Sequence, residues 1–362
     1  MLQTMIVGSL PRPTWLAPPH QMYVTPKLEG DVLQEAQDDA VLLALADQQE
    51  AGLDIVTDGE QRRRHYIWGF CEGVEGIDFS RLVKITTRGG RYGNQLVDAA
   101  RVTGPVRRPR PILLEAVRFL KRHTTKPVKV TLPGPMTTTD TLADEHYGSR
   151  RALAADLAKA LNEEAFELAE NGCDIIQFDE PCFNIYLDEV EEWGIRTLEE
   201  AAKGVRAKTA VHICYGYGTP VVLQWKTKNT DWSHYWRTLP LLRTSTIDQI
   251  SVECAASGVE PAVLALAKGK DLMVGVIDVG TEEVETPETV ATRIRTALQY
   301  VAPDHLYPCT DCGMVPRSRT AARGKMKTLA AGAWIVRSEI LQQYRRSTVV
   351  GFRPAEQEKA KP

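Results

Sequence analysis

The chain has 362 residues, with 44 basic against 47 acidic side chains and a formal net charge of −3. This balance argues against a nucleic-acid-binding protein, which would show a basic excess, and no apolar run approaches the roughly 18 residues that span a bilayer. Seven cysteines, an odd number, without a secretory signal pattern favour a reducing compartment over a disulfide framework, so we expect a cytoplasmic enzyme.

Short apolar runs typical of strands alternate with amphipathic helices along most of the chain. A helical pattern over Leu33–Ala51 ends at Gly52, a second over residues 153–169 ends at Gly172, and a third begins at Thr286–Pro287. Eight strands are predicted: Met5–Leu10, Asp54–Asp58, Val128–Leu132, Asp174–Asp179, Thr209–Tyr215, Gln249–Glu253, Leu272–Asp278 and His305–Asp311. The alternation predicts a (β/α)₈ barrel, with an open doubly wound sheet as the alternative.

Two segments interrupt this alternation. Residues Gln61–Pro111 predict a hairpin-like excursion after strand two, and Gly216–Leu239, rich in tryptophan, predicts an irregular lid after strand five. The lid and the basic Arg107–Arg110 are candidate docking surfaces, with solvated loops as the alternative. We expect one barrel domain over residues 1–350 and a flexible tail over 351–362.

Polar residues gather at the carboxyl ends of the predicted strands, where the active site of such a barrel lies. His212 and Cys214 are two apart on one strand and point to the same side. Glu253 and the Cys309-x-x-Cys312 pair reach the same rim from other strands, and together these residue types suit zinc with one exchangeable position. A packed His–Cys core pair, a redox cysteine pair and a structural zinc knuckle remain alternatives.

An ordered set of motifs resembles the C-terminal catalytic barrel of cobalamin-independent methionine synthases, in a short branch that has a single barrel. The matching segments are Val7–Pro11, Asp58-Gly59-Glu60, Leu132–Pro135, Ile176–Pro181, His212–Tyr215, Val252-Glu253 and Asp311-Cys312-Gly313. They span roughly residues 5–335 in the family's order. The resemblance implies zinc-dependent methyl transfer to the thiol of homocysteine, which yields methionine.

The resemblance also assigns residues. It implies that the zinc ligands are His212, Cys214, Glu253 and Cys312, while Cys309 has no counterpart in the two-barrel enzymes. Gly8 and Ser9 resemble the cradle for the homocysteine carboxylate. Glu60 and Asp179 resemble the catalytic carboxylates that grip its ammonium group, as an amino-acid zwitterion requires. Asp278 and Asp311 are candidates for orienting ligands, with buried structural carboxylates as the alternative.

The methyl-donor side departs from the family pattern. Thr141 occupies the position of the folate-stacking tryptophan, and Gln95-Leu96 occupies that of an Arg-Cys pair. Ile185 replaces a glutamate, and Gly280 replaces the proton-donating histidine. These departures predict a donor that is not bound as in the two-barrel folate enzymes. Short relatives imply a methyl-corrinoid protein or another donor besides methylfolate, in some cases with an accessory protein.

Two rival functions stay open. One is alkyl transfer to another thiol, as in an epoxide–coenzyme M transferase, which would not need Glu60 and Asp179 for an ammonium group. The other is a non-catalytic barrel that binds zinc or a partner. The latter predicts bound metal without proton release when homocysteine is added.

Overall fold

A computed structural model describes residues 1–19, 21, 24–93 and 96–350 of the protein, with side chains described to residue 345. The predicted tail and Gln95 lie outside the described residues, and the single domain over residues 1–350 stays a prediction. The strands are β1 (Glu75–Thr86), β2 (Leu96–Arg107), β3 (Lys129–Pro133), β4 (Ala143–Asp144), β5 (Ile175–Asp179), β6 (Lys208–Ile213), β7 (Gln249–Glu253), β8 (Asp271–Ile277) and β9 (Leu306–Thr310). The helices are α1 (Gly30–Ala51), α2 (Trp68–Cys71), α3 (Leu114–His123), α4 (Pro135–Asp140), α5 (Arg150–Glu170), α6 (Leu187–Glu189), α7 (Ile195–Ala202), α8 (Pro220–Lys228), α9 (His234–Thr244), α10 (Pro287–Ala297) and α11 (Arg319–Val350).

Six parallel strands form one sheet in the order β3-β5-β6-β7-β8-β9, so each strand pairs with the strand of this sheet that follows it along the chain. Every residue of β3, β5 and β7 is buried, as expected for parallel strands covered on both faces. These six strands confirm the third to eighth predicted strands to within two residues at each end.

The first two predicted strands are extended segments with sparse hydrogen bonds rather than regular strands. Ile55 N donates to Thr4 O at 3.1 Å, Met5 N donates to the Pro308 carbonyl at 3.3 Å, and Val56 forms a single parallel bridge to Val128. Side chains replace part of the ladder, because Thr4 N donates to Asp54 Oδ2 and Val7 N to Thr310 Oγ1. The two segments lie between β9 and β3 and close the predicted (β/α)₈ barrel.

The predicted helices are confirmed as α1, α5 and α10. Gly52 ends α1 with a φ of +85°, a left-handed conformation that glycine adopts without strain. Thr286 Oγ1 caps α10 by accepting the Thr289 N–H at 3.1 Å, with Pro287 at the first helical position. Within the described residues, no helix has the length and apolar character needed to cross a membrane.

The excursion after the second extended segment is the predicted hairpin. Strands β1 and β2 pair antiparallel, and β4 pairs with β2 in parallel. The hairpin tip folds back over the barrel, since Arg88 N donates to Asp140 Oδ2 at 2.9 Å and Tyr92 OH donates to Tyr215 O at 2.6 Å. The hairpin therefore covers part of the rim where the strands end.

The expectation of an irregular lid over Gly216–Leu239 is wrong in its local structure. The segment holds α8 and the start of α9, and Thr219-Pro220 begins α8 with the same cap that begins α10. Trp225 lies 5.2 Å from the ring of Tyr92, and Trp232 lies 5.0 Å from that of Tyr215. Aromatic packing of this kind favours ordered helices over a solvated loop.

The two candidate docking surfaces are partly internal. Trp225 and Trp232 pack against the barrel, whereas Trp236 is 45% exposed. In the basic segment, Arg108 forms ion pairs with Glu164 and Glu167 on α5. Trp225, Trp232 and Arg108 are therefore engaged within the fold, whereas Trp236 stays exposed.

Candidate metal and substrate site

A cavity of about 300 Å³ lies at the carboxyl ends of the barrel strands. Its inner half is lined by predicted site residues from five places in the chain, namely Ser9, Glu60, Asp179, His212, Cys214 and Cys312. The hairpin tip and the start of α8 line its outer half. The fold thus brings these six predicted site residues to one cavity.

Three predicted metal ligands form a tight cluster. His212, Cys214 and Cys312 each offer a ligand atom within 4.8 Å of the other two, and the two sulfurs are 3.7 Å apart. His212 Nδ1 is 2.8 Å from Ser251 Oγ, while the buried Nε2 has no hydrogen-bond partner among the described residues. An unpartnered imidazole nitrogen beside two thiols is the donor set that zinc accepts, so these residues fit a bound zinc ion.

The cluster also carries charge. The hydrogen bond with Cys312 lowers the pKa of Cys214 well below its ordinary value against the effect of burial, and His212 lowers it further. Burial opposes the charged imidazole, but the adjacent Cys214 raises the pKa of His212 overall. Cys214 is thus the thiol that ionises more readily, since the same hydrogen bond raises the pKa of Cys312, and a thiolate is the form of cysteine that ligates zinc.

Glu253, the fourth predicted ligand, is not part of the three-residue cluster. Its fully buried carboxylate accepts hydrogen bonds from Tyr217 OH, Lys226 Nζ, Ser257 Oγ and the backbone N–H of Tyr215. Since Tyr215 follows Cys214 directly, the carboxylate lies beside the cluster. Its role as a metal ligand stays a prediction.

Glu60 sits on a strained turn at the end of the second extended segment. Its φ is +57°, an uncommon conformation for a residue with a side chain. Arg12 donates to the Glu60 carbonyl at 3.0 Å, and Thr131 Oγ1 donates to Glu60 Oε1 at 2.9 Å. A Cβ at Gly8 would lie 2.7 Å from the same Oε1 oxygen, so the glycine leaves room for the carboxylate.

Asp179 is the last residue of β5 and lines the same cavity as Glu60. Burial raises its pKa to about 7; His212 opposes this shift and Glu60 adds to it. Gln177 Nε2 donates to Asp179 Oδ1 at 2.7 Å, while Gln177 Oε1 accepts from Lys129 Nζ at the same distance. Two buried carboxylates near one another favour binding a cation between them, as the ammonium of an amino acid would provide.

Ser9 lies beside Gly313, the residue that follows Cys312. A Cβ at Gly313 would overlap Ser9 Oγ, so the glycine that follows Cys312 lets this hydroxyl approach the metal cluster. Ser9 also lines the cavity. The position suits the predicted role in holding a substrate carboxylate, which stays a prediction.

The remaining polar candidates lie outside the cluster. Cys309 is fully buried among Met5, Val7 and Met273 in the barrel interior. Asp311 accepts the backbone N–H groups of residues 254–256 and the Tyr217 hydroxyl, which also contacts Glu253. Asp278 accepts the Gly280 N–H. Asp311 therefore orients the loop after β7, while its role in orienting a metal ligand stays a prediction.

The donor-side positions differ in their placement. Thr141 lines the cavity, while Ile185 does not. A Cβ at Gly280 would lie 3.0 Å from Asp278 Oδ1, 3.5 Å from Leu223 and 3.7 Å from Tyr217, so this position faces side chains rather than open space.

Several site residues escaped the sequence reasoning. Lys129 is a buried cation in an apolar strand, and that lone charge between Val128 and Val130 was a readable signal. No local signal marks Tyr217 or the hairpin-tip residue Tyr92, because segments distant in sequence bring them to the cavity. None marks Lys226 either, because it reaches Glu253 from a separate helix.

Comparisons with known proteins agree with the geometry. Residues 2–333 match the family model described as the catalytic domain of cobalamin-independent synthase. The chain is 34% identical over 349 residues to a methionine synthase of Sulfurisphaera tokodaii, covering 96% of each protein. It is 33% identical over 341 residues to one of Sulfolobus acidocaldarius, covering 94% of each.

A solved structure is also similar. The B12-independent methionine synthase from Shewanella sp. W3-18-1, in complex with selenomethionine, aligns with a TM-score of 0.92 and 49% sequence identity. The alignment covers 94% of this chain and 99% of that one. A methionine synthase described as putative, from Listeria monocytogenes, aligns at 20% identity with a TM-score of 0.65, which supports the fold alone.

Proposed function

The chain belongs to the family of cobalamin-independent methionine synthase catalytic domains, and from this premise we propose that it transfers a methyl group to the thiol of L-homocysteine, giving L-methionine, with zinc as its cofactor. The proposed ligands are His212, Cys214, Glu253 and Cys312. One observation carries the proposal: the His/Cys/Cys cluster shares a cavity of about 300 Å³ with two buried carboxylates suited to an ammonium group.

The substrate is held at both ends. Glu60 and Asp179 would accept the ammonium hydrogens, and Ser9 would donate to the carboxylate. Zinc, when bound, supplies a Lewis acid that keeps the substrate thiol as a thiolate near neutral pH. The protein fixes that sulfur in line with the methyl carbon, so that a carbon–sulfur bond forms as the bond to the donor breaks.

The methyl donor would not be bound as in the two-barrel folate enzymes. Thr141 offers no aromatic face for stacking, and Gly280 offers no acid–base group. Methylfolate, a methyl-corrinoid protein or another carrier is the candidate donor, delivered in the cytoplasm with or without an accessory protein.

The direct test mixes zinc-replete protein and homocysteine with methylfolate or with methylcobalamin, with and without cell extract, and quantifies methionine. We expect methionine from at least one donor and none from Cys312→Ser. Absence of methionine under every condition would contradict the proposal. Alkylation of 2-mercaptoethanesulfonate in place of homocysteine would favour the epoxide–coenzyme M transferase-like alternative.

A further inference from the structure

The two oxygens of Glu253 have unequal surroundings. Oε2 accepts from three side chains, namely Tyr217 OH, Lys226 Nζ at 2.6 Å and Ser257 Oγ at 2.7 Å. Among the described residues, Oε1 accepts only the N–H of Tyr215, the residue that follows Cys214. Oε2 is therefore saturated, while Oε1 keeps acceptor capacity.

Lys226 is itself fixed in place. It belongs to α8, its side chain is 7% exposed, and Nζ also donates to Ser257 Oγ at 3.0 Å. The same ammonium lies 3.8 Å from the centroid of the Tyr217 ring, a cation–π contact. Burying the ammonium of a lysine costs free energy unless its charge is compensated. The Glu253 carboxylate provides that compensation.

The charge balance of the site gives Lys226 a further role. Two thiolates and one carboxylate carry three negative charges against two on zinc, which leaves one uncompensated in a buried site. The ammonium of Lys226 offsets that charge. Partners that hydrogen-bond a ligating carboxylate also fix its orientation.

We propose that Lys226 is a positioning residue of the metal site: it holds Glu253 Oε2 so that Oε1 turns toward His212, Cys214 and Cys312, and it offsets the excess negative charge of the ligand set. The inference rests on the proposed zinc site. It also connects α8, which lies on the outer half of the cavity, to the metal on the inner half.

Electrostatics alone predicts that Lys226 would weaken metal binding, since an ammonium competes with a cation for the same carboxylate. Because Oε2 is saturated, Lys226 and a metal ion would occupy different oxygens of Glu253. This arrangement favours support of metal binding by Lys226 over competition with the metal. The two cases differ in the sign of the effect on metal affinity.

The test measures Zn²⁺ affinity by competition with a chromogenic chelator in wild type, Lys226→Met and Lys226→Gln. Lys228→Met is the matched control, since Lys228 is exposed at the end of the same helix. Loss of such a supporting partner typically costs roughly 10–100-fold in metal affinity, and we expect this loss in both Lys226 variants but not in the control. Lys226→Gln keeps a hydrogen-bond donor, so the comparison remains available if Lys226→Met fails to fold.

A second readout separates orientation from global damage. Co²⁺ substitution gives visible bands that depend on ligand number, and we expect them to change in Lys226→Gln at a temperature at which circular dichroism shows the metal-free variant to be folded. Unchanged or tighter Zn²⁺ binding in both Lys226 variants would overturn the inference. Failure of the wild type to bind zinc would instead overturn the proposed metal site.

Discussion

The inner and outer halves of the cavity are built differently. The inner half consists of strand ends, where Asp179, His212 and Cys214 are buried. A hydrogen bond within β5 holds Asp179, a hydrogen bond to β7 holds His212, and a close sulfur contact to the loop after β9 holds Cys214. The outer half consists of the hairpin tip and α8, where Tyr92 and Val222 are only partly buried. From this difference we infer that the barrel would fix the thiol substrate, while the segments added to the barrel would contact the methyl donor.

Removing a metal ligand is expected to have the largest effect on the inner half. Cys312→Ser replaces a thiolate by a hydroxyl that zinc binds poorly, so we expect zinc affinity to fall by more than the roughly 100-fold upper limit for losing a supporting partner. Metal content after dialysis against a chelator measures this. Cys309→Ser is the matched control, since that thiol is buried away from the cluster; retention of zinc by Cys312→Ser would remove this residue from the ligand set.

Removing a protein carboxylate that binds the substrate should weaken the binding of one end of homocysteine, its ammonium group. Asp179→Asn loses a charge-assisted contact worth about 1.5–3 kcal/mol, so we expect homocysteine binding to weaken by roughly 10–150-fold. Calorimetry with zinc-loaded protein measures it. The analogue 4-mercaptobutanoate lacks the ammonium group and should bind both forms alike; an equal loss for both ligands would show that Asp179 does not contact the ammonium.

The same residue predicts a pH effect on the metal-free, substrate-free protein. Because burial raises the pKa of Asp179 to about 7, the folded state holds a proton that the unfolded state releases near pH 4, and stability falls as pH rises through this interval. Asp179→Asn should therefore match wild type near pH 4 and unfold at a higher temperature above pH 7.

Glu180 and Asp311, whose pKa values burial also raises to about 7, lower the stability of both proteins in the same way, so the difference isolates Asp179. The exposed Asp188→Asn provides the control, and no pH-dependent difference is expected for it. A constant offset between Asp179→Asn and wild type across this range would contradict the assignment.

A side chain that lines the outer half of the cavity without contacting a metal ligand should give the smallest effect, and one confined to the donor. Val222→Ala removes two methyl groups from the cavity wall at roughly 0.8 kcal/mol per buried group when fully buried. Since Val222 is partly buried, we expect about a three- to tenfold rise in KM for the donor and no change for homocysteine. Steady-state kinetics with each substrate varied in turn decide this, and a change confined to homocysteine would break the division of the cavity.

The sequence was most informative where residue types that ligate metals occur at the two-residue spacing of a strand or at its end. His212 and Cys214 on one strand, and Cys312 after another, were predicted together and lie together. The helical nature of α8 was missed although Thr219-Pro220 carried the same cap as Thr286-Pro287. Lys226 was beyond reach, because its contact with Glu253 depends on how α8 packs on the rim.

The central claim is that the protein binds homocysteine as a zinc thiolate. Calorimetric titration of zinc-loaded protein with homocysteine, in two buffers of different ionisation enthalpy, counts the protons released on binding. Between the pKa of Asp179, which burial raises to about 7, and the pKa of the free thiol, we predict that about one proton leaves per homocysteine bound and that none leaves with homoserine. Binding of homocysteine without proton release would contradict the account.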